Sequence, residues 1–406
     1  MSFGLIPRLY PSYTFKELLF SLSAMLNKKT RPRFERQFAE AFGVKYVYSL
    51  AYGRSGLYFF LKAMGIEGKE VILPAYTCEV VAAAIVYSGN IPRFVEICPE
   101  DFNMTLESIR AAVNENTAVV LATHIYGIPM KEPETLHTFC KEKNIFLVQD
   151  CALAPFSTYE GKPVYTWGDG AIFSFSSGKI FSTIEGGVFS TDNAEIAAKM
   201  QTCLETHAAE VTLFGQLREF IFGLALLVGL HPYIYRYTLL LDRLKLLNFA
   251  TRIFSETKIQ YPAQGMKRLS RLKARLGIFQ LKKLERVLAR NREIVQAYLQ
   301  APALPARQIS RLADMIRQGA VLSHFPLLVK DRQVIIRRAK KRGIHLGKEL
   351  FDYCIPCIGS YGVYEKYQAG ESFPAARQAA AEILLLPIHR KMKPGYSGKM
   401  EKGWFQ

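Results

Sequence analysis

The sequence predicts an α/β protein with a large, mostly parallel sheet, followed by a smaller α+β domain. From about residue 44, seven short apolar runs alternate with amphipathic helical stretches, which is typical of strand–helix–strand units. The alternation stops in the second half of the chain. At 406 residues the chain is also longer than one typical core. We therefore expect two domains, with an N-terminal segment and large domain over 1–260 and a small C-terminal domain over 261–406.

The strands are expected in the runs VKYVYSL, EVILPA, IPRFVEI, AVVLATHIYG, NIFLVQD, GAIFSFSS and GGVFSTD. Helical patterns lie between several of these runs, at 80–87, 105–114 and 132–143. In sheets of this kind, ligands bind at the carboxyl ends of the strands. Residues 74–76, 124–127 and 174–179, together with Asp150, should therefore share one edge of the sheet.

The second half begins with a long helical pattern over 268–299 that is dense in Leu, Lys and Arg. A strand in SHFPLLV and a helix through RQVIIRRAKKRG follow it. These elements make up the predicted small domain.

The formal net charge of +18 favours anionic partners, such as nucleic acid, an anionic membrane or phosphorylated small molecules. The sequence shows no nucleic-acid-binding signature, and its basic residues are scattered, so we do not expect nucleic acid. Seven scattered cysteines and the missing signal peptide indicate a reducing cytoplasm. Cys354 and Cys357 form one isolated CxxC pair, and we expect no metal site.

Residues 220–235 contain no Lys, Arg, Asp or Glu. A buried or dimer-facing helix is one interpretation. A peripheral membrane contact is another, supported by the basic residues that flank the segment. A spanning helix needs about 20 apolar residues, and Pro232 interrupts this run, so a transmembrane span is the weakest of the three.

Three features at the expected sheet edge suit one cofactor. A lysine amine can form a Schiff base with a carbonyl, and Lys179 follows the strand GAIFS. Pyridoxal phosphate needs such a lysine, a carboxylate at its ring nitrogen and a phosphate site. Asp150 ends an apolar run and could supply the carboxylate. Gly53, Arg54 and Ser55 precede a helical pattern, where backbone N–H groups bind phosphate, and Ser174 is a further donor.

Larger stretches carry a family resemblance. They include GRSGL, THIYGIP, GDGAIFSFSSGK and EGGVFSTD, and they extend over most of the chain. The sequence resembles the DegT/DnrJ/EryC1/StrS family of pyridoxal-phosphate sugar aminotransferases. The resemblance implies fold type I, the aspartate aminotransferase-like fold, and a homodimer with active sites at the subunit interface. It assigns Lys179 to the cofactor aldehyde and Asp150 to the ring nitrogen. It assigns four residues to the phosphate, namely Gly53, Arg54, Ser55 and Ser174.

The same resemblance implies a reaction. Relatives that dehydrate sugars have histidine in place of Lys179, and a lysine there favours transamination, since its amine can also move protons. Glutamate is the implied donor, and a keto-sugar attached to a nucleotide is the implied acceptor, in polysaccharide or natural-product biosynthesis. Two alternatives stay open: transamination of a non-sugar or lipid-linked carbonyl, and a catalytically silent membrane-associated relative.

Several positions depart from the family pattern. Cys78 replaces an aromatic residue that stacks on the cofactor ring, and Tyr76 is the candidate to substitute for it. Leu153 and Met266 replace a glutamine and an asparagine. A hydrophobic insertion lies at about 209–258, and its 220–241 part is the segment expected to make any peripheral membrane contact.

Overall fold

The computed structural model describes residues 4–244, 263–346, 354–356, 364, 367, 372–393 and 395–396. Eleven strands are present among them. They are β1 (Tyr46–Leu50), β2 (Glu70–Pro74), β3 (Ile91–Val95), β4 (Thr117–Thr123), β5 (Phe146–Asp150), β6 (Thr158–Tyr159), β7 (Lys162–Pro163), β8 (Gly170–Ser174), β9 (Gly187–Thr191), β10 (Phe325–Leu328) and β11 (Ile383–Leu386).

The large sheet has seven strands in the order β1-β9-β8-β5-β4-β2-β3. Strands β3, β2, β4, β5 and β8 pair in parallel, and only β9 runs against its two neighbours, β8 and β1. These seven strands coincide with the seven apolar runs, so the prediction of a mostly parallel sheet is confirmed. The central residues of β2, β4, β5, β8 and β9 are at most 1% exposed, because helices cover both faces.

The helices are α1 (Phe15–Ser21), α2 (Thr30–Phe42), α3 (Gly53–Ala63), α4 (Glu79–Tyr87), α5 (Leu106–Ala112), α6 (Pro133–Glu142), α7 (Ala194–His207), α8 (Leu213–Gly229), α9 (Tyr235–Arg243), α10 (Arg271–Lys282), α11 (Leu284–Leu299), α12 (Ala306–Arg317), α13 (Arg332–Lys341) and α14 (Pro374–Glu382). Their ends follow local chemistry. Thr14 closes a capping box on α1, and α2 ends at Gly43 in the left-handed conformation, with φ of 64°.

The predicted long helix over 268–299 is two helices, α10 and α11, separated at Lys283. The Lys283 ammonium donates to Glu17 Oε2 at 2.7 Å and to the Ser12 carbonyl at 2.8 Å, so its side chain is bound to the N-terminal part of the chain. Helix α10 packs against α2 and α1. Strands β10 and β11 form a separate antiparallel pair beside α14. The domain division at 260/261 stays a prediction, and residues 260–262 lie outside the described part.

The described part of the predicted insertion consists of α8 and α9, joined by a turn that contains Pro232. One face of α8 packs on the N-terminal segment: the Tyr13 hydroxyl donates to the Gly223 carbonyl at 3.0 Å, and the Leu5 N–H donates to the Pro232 carbonyl at 2.8 Å. Residues 245–258 of the predicted insertion lie outside the described part. Within the described ranges, none of the helices has the length and apolar content needed to cross a membrane.

Candidate active site

The carboxyl ends of β1, β2, β4, β5 and β8 surround one cavity of about 220 Å³. This edge is shared because β1 runs in the same direction as the parallel strands, being antiparallel to β9. The side chains that the sequence placed here include Lys179, Asp150, Arg54 and Ser174, and all four line the cavity with Gly53. The parallel sheet thus brings together residues that are more than 100 positions apart in the chain.

Lys179 lies in the turn after β8, where its N–H donates to the Ser176 carbonyl at 3.0 Å. Burial lowers the pKa of its amine from the ordinary 10.5, while Cys78 and Asp150 oppose this shift. A lysine with a lowered pKa has a larger fraction of the neutral, nucleophilic amine. Lys179 also lines a second cavity of about 350 Å³, so its side chain is shared by the two cavities.

Asp150 is the last residue of β5 and is buried. Burial raises the pKa of its carboxyl group from 3.8, whereas the Ala152 N–H, which donates to Oδ1 at 2.9 Å, and the Lys179 charge lower it. A buried carboxylate of this kind is most stable beside a cation or an N–H donor. The second oxygen of Asp150 can therefore accept a hydrogen bond from a protonated ring nitrogen in the cavity.

The other end of the cavity suits an anion. Gly53 begins helix α3, and a Cβ atom there would come within 2.7 Å of the Phe173 carbonyl oxygen, so the close packing against β8 requires glycine. The Arg54 guanidinium lies 4.1 Å from the centre of the Tyr52 ring. Its Nε and Nη2 atoms are buried and have no hydrogen-bond partner among the residues that the structure describes. Unpaired buried donors beside a helix N-terminus form a site for a phosphate group.

Two of the predicted site residues, Tyr76 and Ser55, are buried beneath the cavity surface and are not among its described lining residues. The Tyr76 hydroxyl lies 2.6 Å from that of Tyr126 in the core. Thr77 and Cys78, which follow Tyr76, line the cavity instead. The stacking role of Tyr76 and the phosphate role of Ser55 stay predictions.

Two of the three residues that depart from the family pattern line the cavity, and the third, Met266, is not among its described lining residues. Leu153 lines the cavity with Cys78, so both lie where they were expected. Met266 ends a short 3-10 turn, and its carbonyl accepts from the Ala209 N–H at 2.9 Å.

Sequence reasoning missed the walls of the second cavity. The N-terminal residues Arg8, Tyr10, Ser12 and Thr14 form one wall. The rest of the lining comes from α11 and from residues next to β10 and β11, and it includes Lys283, Arg286, Arg290, His324 and Arg390. Burial lowers the pKa of His324 to about 3, with a further contribution from Lys179, so this imidazole is neutral at physiological pH. The basic residues give no sequence signal, because they come from separate segments with unrelated spacing.

Lys273 connects the first cavity to α8. Its ammonium lies 3.0 Å from Glu219 Oε1 on α8 and 3.5 Å from Glu185 Oε2, and Glu185 lines the cavity. Burial opposes the charge on Lys273, but Glu219, Glu185 and Tyr52 together outweigh it and raise its pKa above 10.5. Helix α8 thus supplies one carboxylate of a buried charged cluster next to the cavity.

Relatives with known names match this chain. A GDP-perosamine synthase of Vibrio cholerae is 36% identical over 138 residues, which cover 34% of this chain and 37% of that protein. A dTDP-4-dehydro-2,3,6-trideoxy-D-glucose 4-aminotransferase of Saccharopolyspora spinosa is 28% identical over 90% of this chain and 85% of that protein. For the first three curated relatives it matches, the chain spans only 26–38% of their length.

The fold agrees with these matches. The PseC aminotransferase of Helicobacter pylori, involved in the biosynthesis of pseudoaminic acid, has a TM-score of 0.73 at 18% identity and covers 98% of this chain and 97% of that one. The prediction of fold type I is therefore confirmed. The sequence model of one family matches residues 15–228 and 240–397, which is most of the chain. The chain belongs to the DegT/DnrJ/EryC1/StrS aminotransferase family.

Proposed function

We propose that the protein is a pyridoxal-phosphate-dependent aminotransferase. The observation that carries this proposal is the meeting of Lys179, Asp150 and the unpaired Arg54 donors around one cavity. These groups suit the aldehyde, the ring nitrogen and the phosphate of that cofactor, in that order. When bound, the cofactor supplies an electron sink that stabilises negative charge at the carbon next to a substrate nitrogen.

The residues of the chain would then have distinct tasks. Lys179 would hold the cofactor and, once its amine is released, move a proton to or from the substrate carbon. Asp150 would keep a proton on the ring nitrogen. Arg54, the N-terminal N–H groups of α3 and Ser174 would bind the phosphate.

We further propose that the acceptor is a keto-sugar attached to a nucleotide, and that glutamate is the amino donor. The second cavity supports an anionic acceptor, since six basic residues line it and none of its described lining residues carries a carboxylate. The names of the Vibrio cholerae and Saccharopolyspora spinosa relatives support a sugar. A lipid-linked carbonyl is the second candidate, favoured by the exposed apolar residues of α8.

We propose a cytoplasmic homodimer as the state of the protein in the cell, with peripheral membrane contact through 220–241. The homodimer rests on the family resemblance, and light scattering of the purified full chain tests it. A monomer at all concentrations would contradict it.

The chemistry is tested in two steps. Purified protein, saturated with pyridoxal phosphate and then dialysed, should keep the visible absorbance of the bound cofactor. Lys179→Ala should lose that absorbance, while Lys141→Ala, which changes an exposed lysine on α6, should retain it. Transfer from glutamate to nucleotide-linked keto-sugars is then followed by formation of 2-oxoglutarate. A wild-type protein that binds no pyridoxal phosphate at saturation would rule out the proposed enzyme.

A further inference from the structure

Helix α8 exposes apolar side chains on the face opposite its buried one. Its buried residues, Gln216, Gly223 and Leu227, lie on one side of the helix. Its exposed residues cover an arc of about 140° on the other side. They are Leu213, Phe214, Leu217, Arg218, Ile221, Ala225 and Val228. Arg218 at the edge of the arc is the single charged residue among them, and Phe214 and Ile221 are 71% and 56% exposed.

The neighbouring helices extend this face. Helix α1 packs against α8 and exposes Phe15, Leu19 and Phe20. Helix α9 is joined to the end of α8, since the Thr238 hydroxyl donates to the Gly229 carbonyl at 2.7 Å. It exposes further apolar side chains, as does the turn before it, namely Tyr233, Ile234, Tyr237, Leu240 and Leu241. We call the exposed residues of α1, α8, α9 and that turn the apolar face. So many large apolar side chains on neighbouring helices mark an interaction surface.

The charges around the apolar face have one dominant sign. The exposed charged residues of residues 15–29 and 213–244 are Lys16, Lys28, Lys29, Arg218, Arg236, Asp242 and Arg243, of which only Asp242 is acidic. The two other acidic residues of these segments, Glu17 and Glu219, are paired with Lys283 and Lys273 on the inner side. A second copy of this face would bring like charges together, whereas an anionic lipid surface complements them.

We propose that the apolar face docks the protein on an anionic phospholipid bilayer. Apolar side chains on neighbouring helices with a basic surround are the chemistry of interfacial membrane binding. The segment expected from the sequence, 220–241, covers only part of this face, because Gly223, Leu227 and Tyr235 point inward and α1 contributes from the other end of the chain. Surface binding of this kind requires no spanning helix.

The apolar face and the second cavity are connected through residues of the N-terminal segment. Thr14 lines the cavity and caps α1, whose first residue, Phe15, is 56% exposed on the apolar face. The Tyr10 hydroxyl donates to the Leu227 carbonyl of α8 at 3.3 Å, and Tyr10 also lines the cavity. A docked protein would hold this wall of the cavity close to the lipid. The docking itself does not depend on the proposed chemistry.

The experiment is sedimentation of the full chain with vesicles, without substrate. One set of vesicles is phosphatidylcholine alone, and the other also contains phosphatidylglycerol. We expect the wild type to sediment with the anionic vesicles, to stay in solution with the neutral ones, and to lose binding as salt is added.

Two variants with matched controls locate the surface. Phe214→Ser/Ile221→Ser should bind anionic vesicles roughly tenfold or more weakly. The control Tyr46→Ser/Tyr87→Ser removes two exposed aromatic residues away from the apolar face and should bind as the wild type does. Arg218→Glu/Arg236→Glu/Arg243→Glu should weaken binding roughly hundredfold or more. Lys141→Glu/Lys143→Glu/Lys330→Glu makes the same change in net charge at exposed positions elsewhere and should have little effect.

Three results would overturn the proposal. The first is that the wild type does not bind anionic vesicles. The second is that the control variants lose binding as fully as the test variants do. Alternatively, Phe214→Ser/Ile221→Ser would convert a wild-type oligomer into a smaller species in light scattering, which would make the face an interface between copies. Vesicle binding is read independently of cofactor absorbance, so failure here leaves the proposed aminotransferase untouched, and the reverse also holds.

Discussion

Lys273 and Glu219 form a buried ion pair, with 3.0 Å between Nζ and Oε1, that joins helix α10 to helix α8. The Ser270 hydroxyl, which caps α10, also donates to Glu219. Because Glu185 of the cavity wall shares the same ammonium, α8 is bound into the structure beside the candidate site.

Replacing Lys273 tests this connection. Lys273→Met leaves two partly buried carboxylates without their cation and should lower the free energy of unfolding by about 3–5 kcal/mol. The double variant Lys273→Met/Glu219→Gln should recover part of the loss, because one unpaired charge is also removed. Urea unfolding measures both. Equal losses in the single and double variants would mean that the pair is not coupled.

The same pair predicts a loss of stability at alkaline pH. The pKa of Lys273 is raised above 10.5 in the folded protein, so its contribution is complete below pH 10.5 and is lost as the pH rises through the folded-state value. The difference in unfolding free energy between the wild type and Lys273→Met should shrink above pH 10.5. A constant difference across that range would contradict the assignment.

Arg54 should recognise the phosphate of the cofactor and no other part of it. Arg54→Ala removes charge-assisted hydrogen bonds worth about 1.5–3 kcal/mol, so pyridoxal phosphate should bind roughly ten- to hundredfold more weakly. Pyridoxal, which lacks the phosphate, should bind the wild type and the variant equally. Equilibrium titration by absorbance measures both ligands. A parallel loss for both would show that Arg54 supports the fold of the cavity rather than the anion.

Gly223 allows α8 to pack closely against Ile184, which precedes the cavity residue Glu185. A Cβ atom at this position would lie 2.6 Å from Ile184 Cδ1 and 3.2 Å from Leu18 Cδ1. Ile184 is a buried β-branched residue held at φ of 80°, a conformation that such residues rarely adopt, so it has little freedom to move. Gly223→Ala should therefore lower the free energy of unfolding by about 1–3 kcal/mol.

Gly229 is the matched control in the same helix. A Cβ atom there would make its closest contact at 3.5 Å, with Thr238 Oγ1, which is an ordinary packing distance. Gly229→Ala should leave stability unchanged or raise it by up to about 1 kcal/mol. Thermal unfolding compares the two variants, and similar losses in both would contradict the predicted packing of Gly223 on Ile184.

Buried neutral histidines predict sensitivity to acid. His124 Nδ1 accepts from the Met130 N–H at 2.9 Å, and burial lowers the pKa of this histidine from 6.5 to about 4. The unfolded chain binds the proton more tightly, so stability rises with pH between about 4 and 6.5 and falls as acid is added. His124 alone accounts for about 3 kcal/mol of this change.

Between about pH 4 and 6.5, the unfolding free energy of His124→Gln should depend less steeply on pH than that of the wild type. A residual slope should remain, because burial also lowers the pKa values of His324, His345 and His389. An unchanged slope in His124→Gln would mean that this imidazole is not held neutral by the fold.

Much of the fold was predictable from local pattern. Residues 170–174 are recognisable as a strand in the sequence, because strands that are buried on both faces of a parallel sheet have continuous apolar sequences. The meeting of Asp150 and Lys179 follows from the same topology, since the ends of neighbouring parallel strands share one edge. The break at Lys283 was not predictable, because an ammonium bound to Glu17 depends on a contact between residues more than 250 positions apart.

The sequence alone determined the family, the parallel sheet and the lysine, aspartate and arginine at its edge, because strand burial and motif spacing are local properties of the chain. Tertiary structure decided which neighbours reach the cavity. It put Cys78, and not Tyr76, among the described residues that line the cavity, and it turned one side of the uncharged segment inward and the other outward. The physical reason is that a side chain's exposure depends on what packs against its element. For α8 this is the N-terminal segment, two hundred residues earlier in the chain.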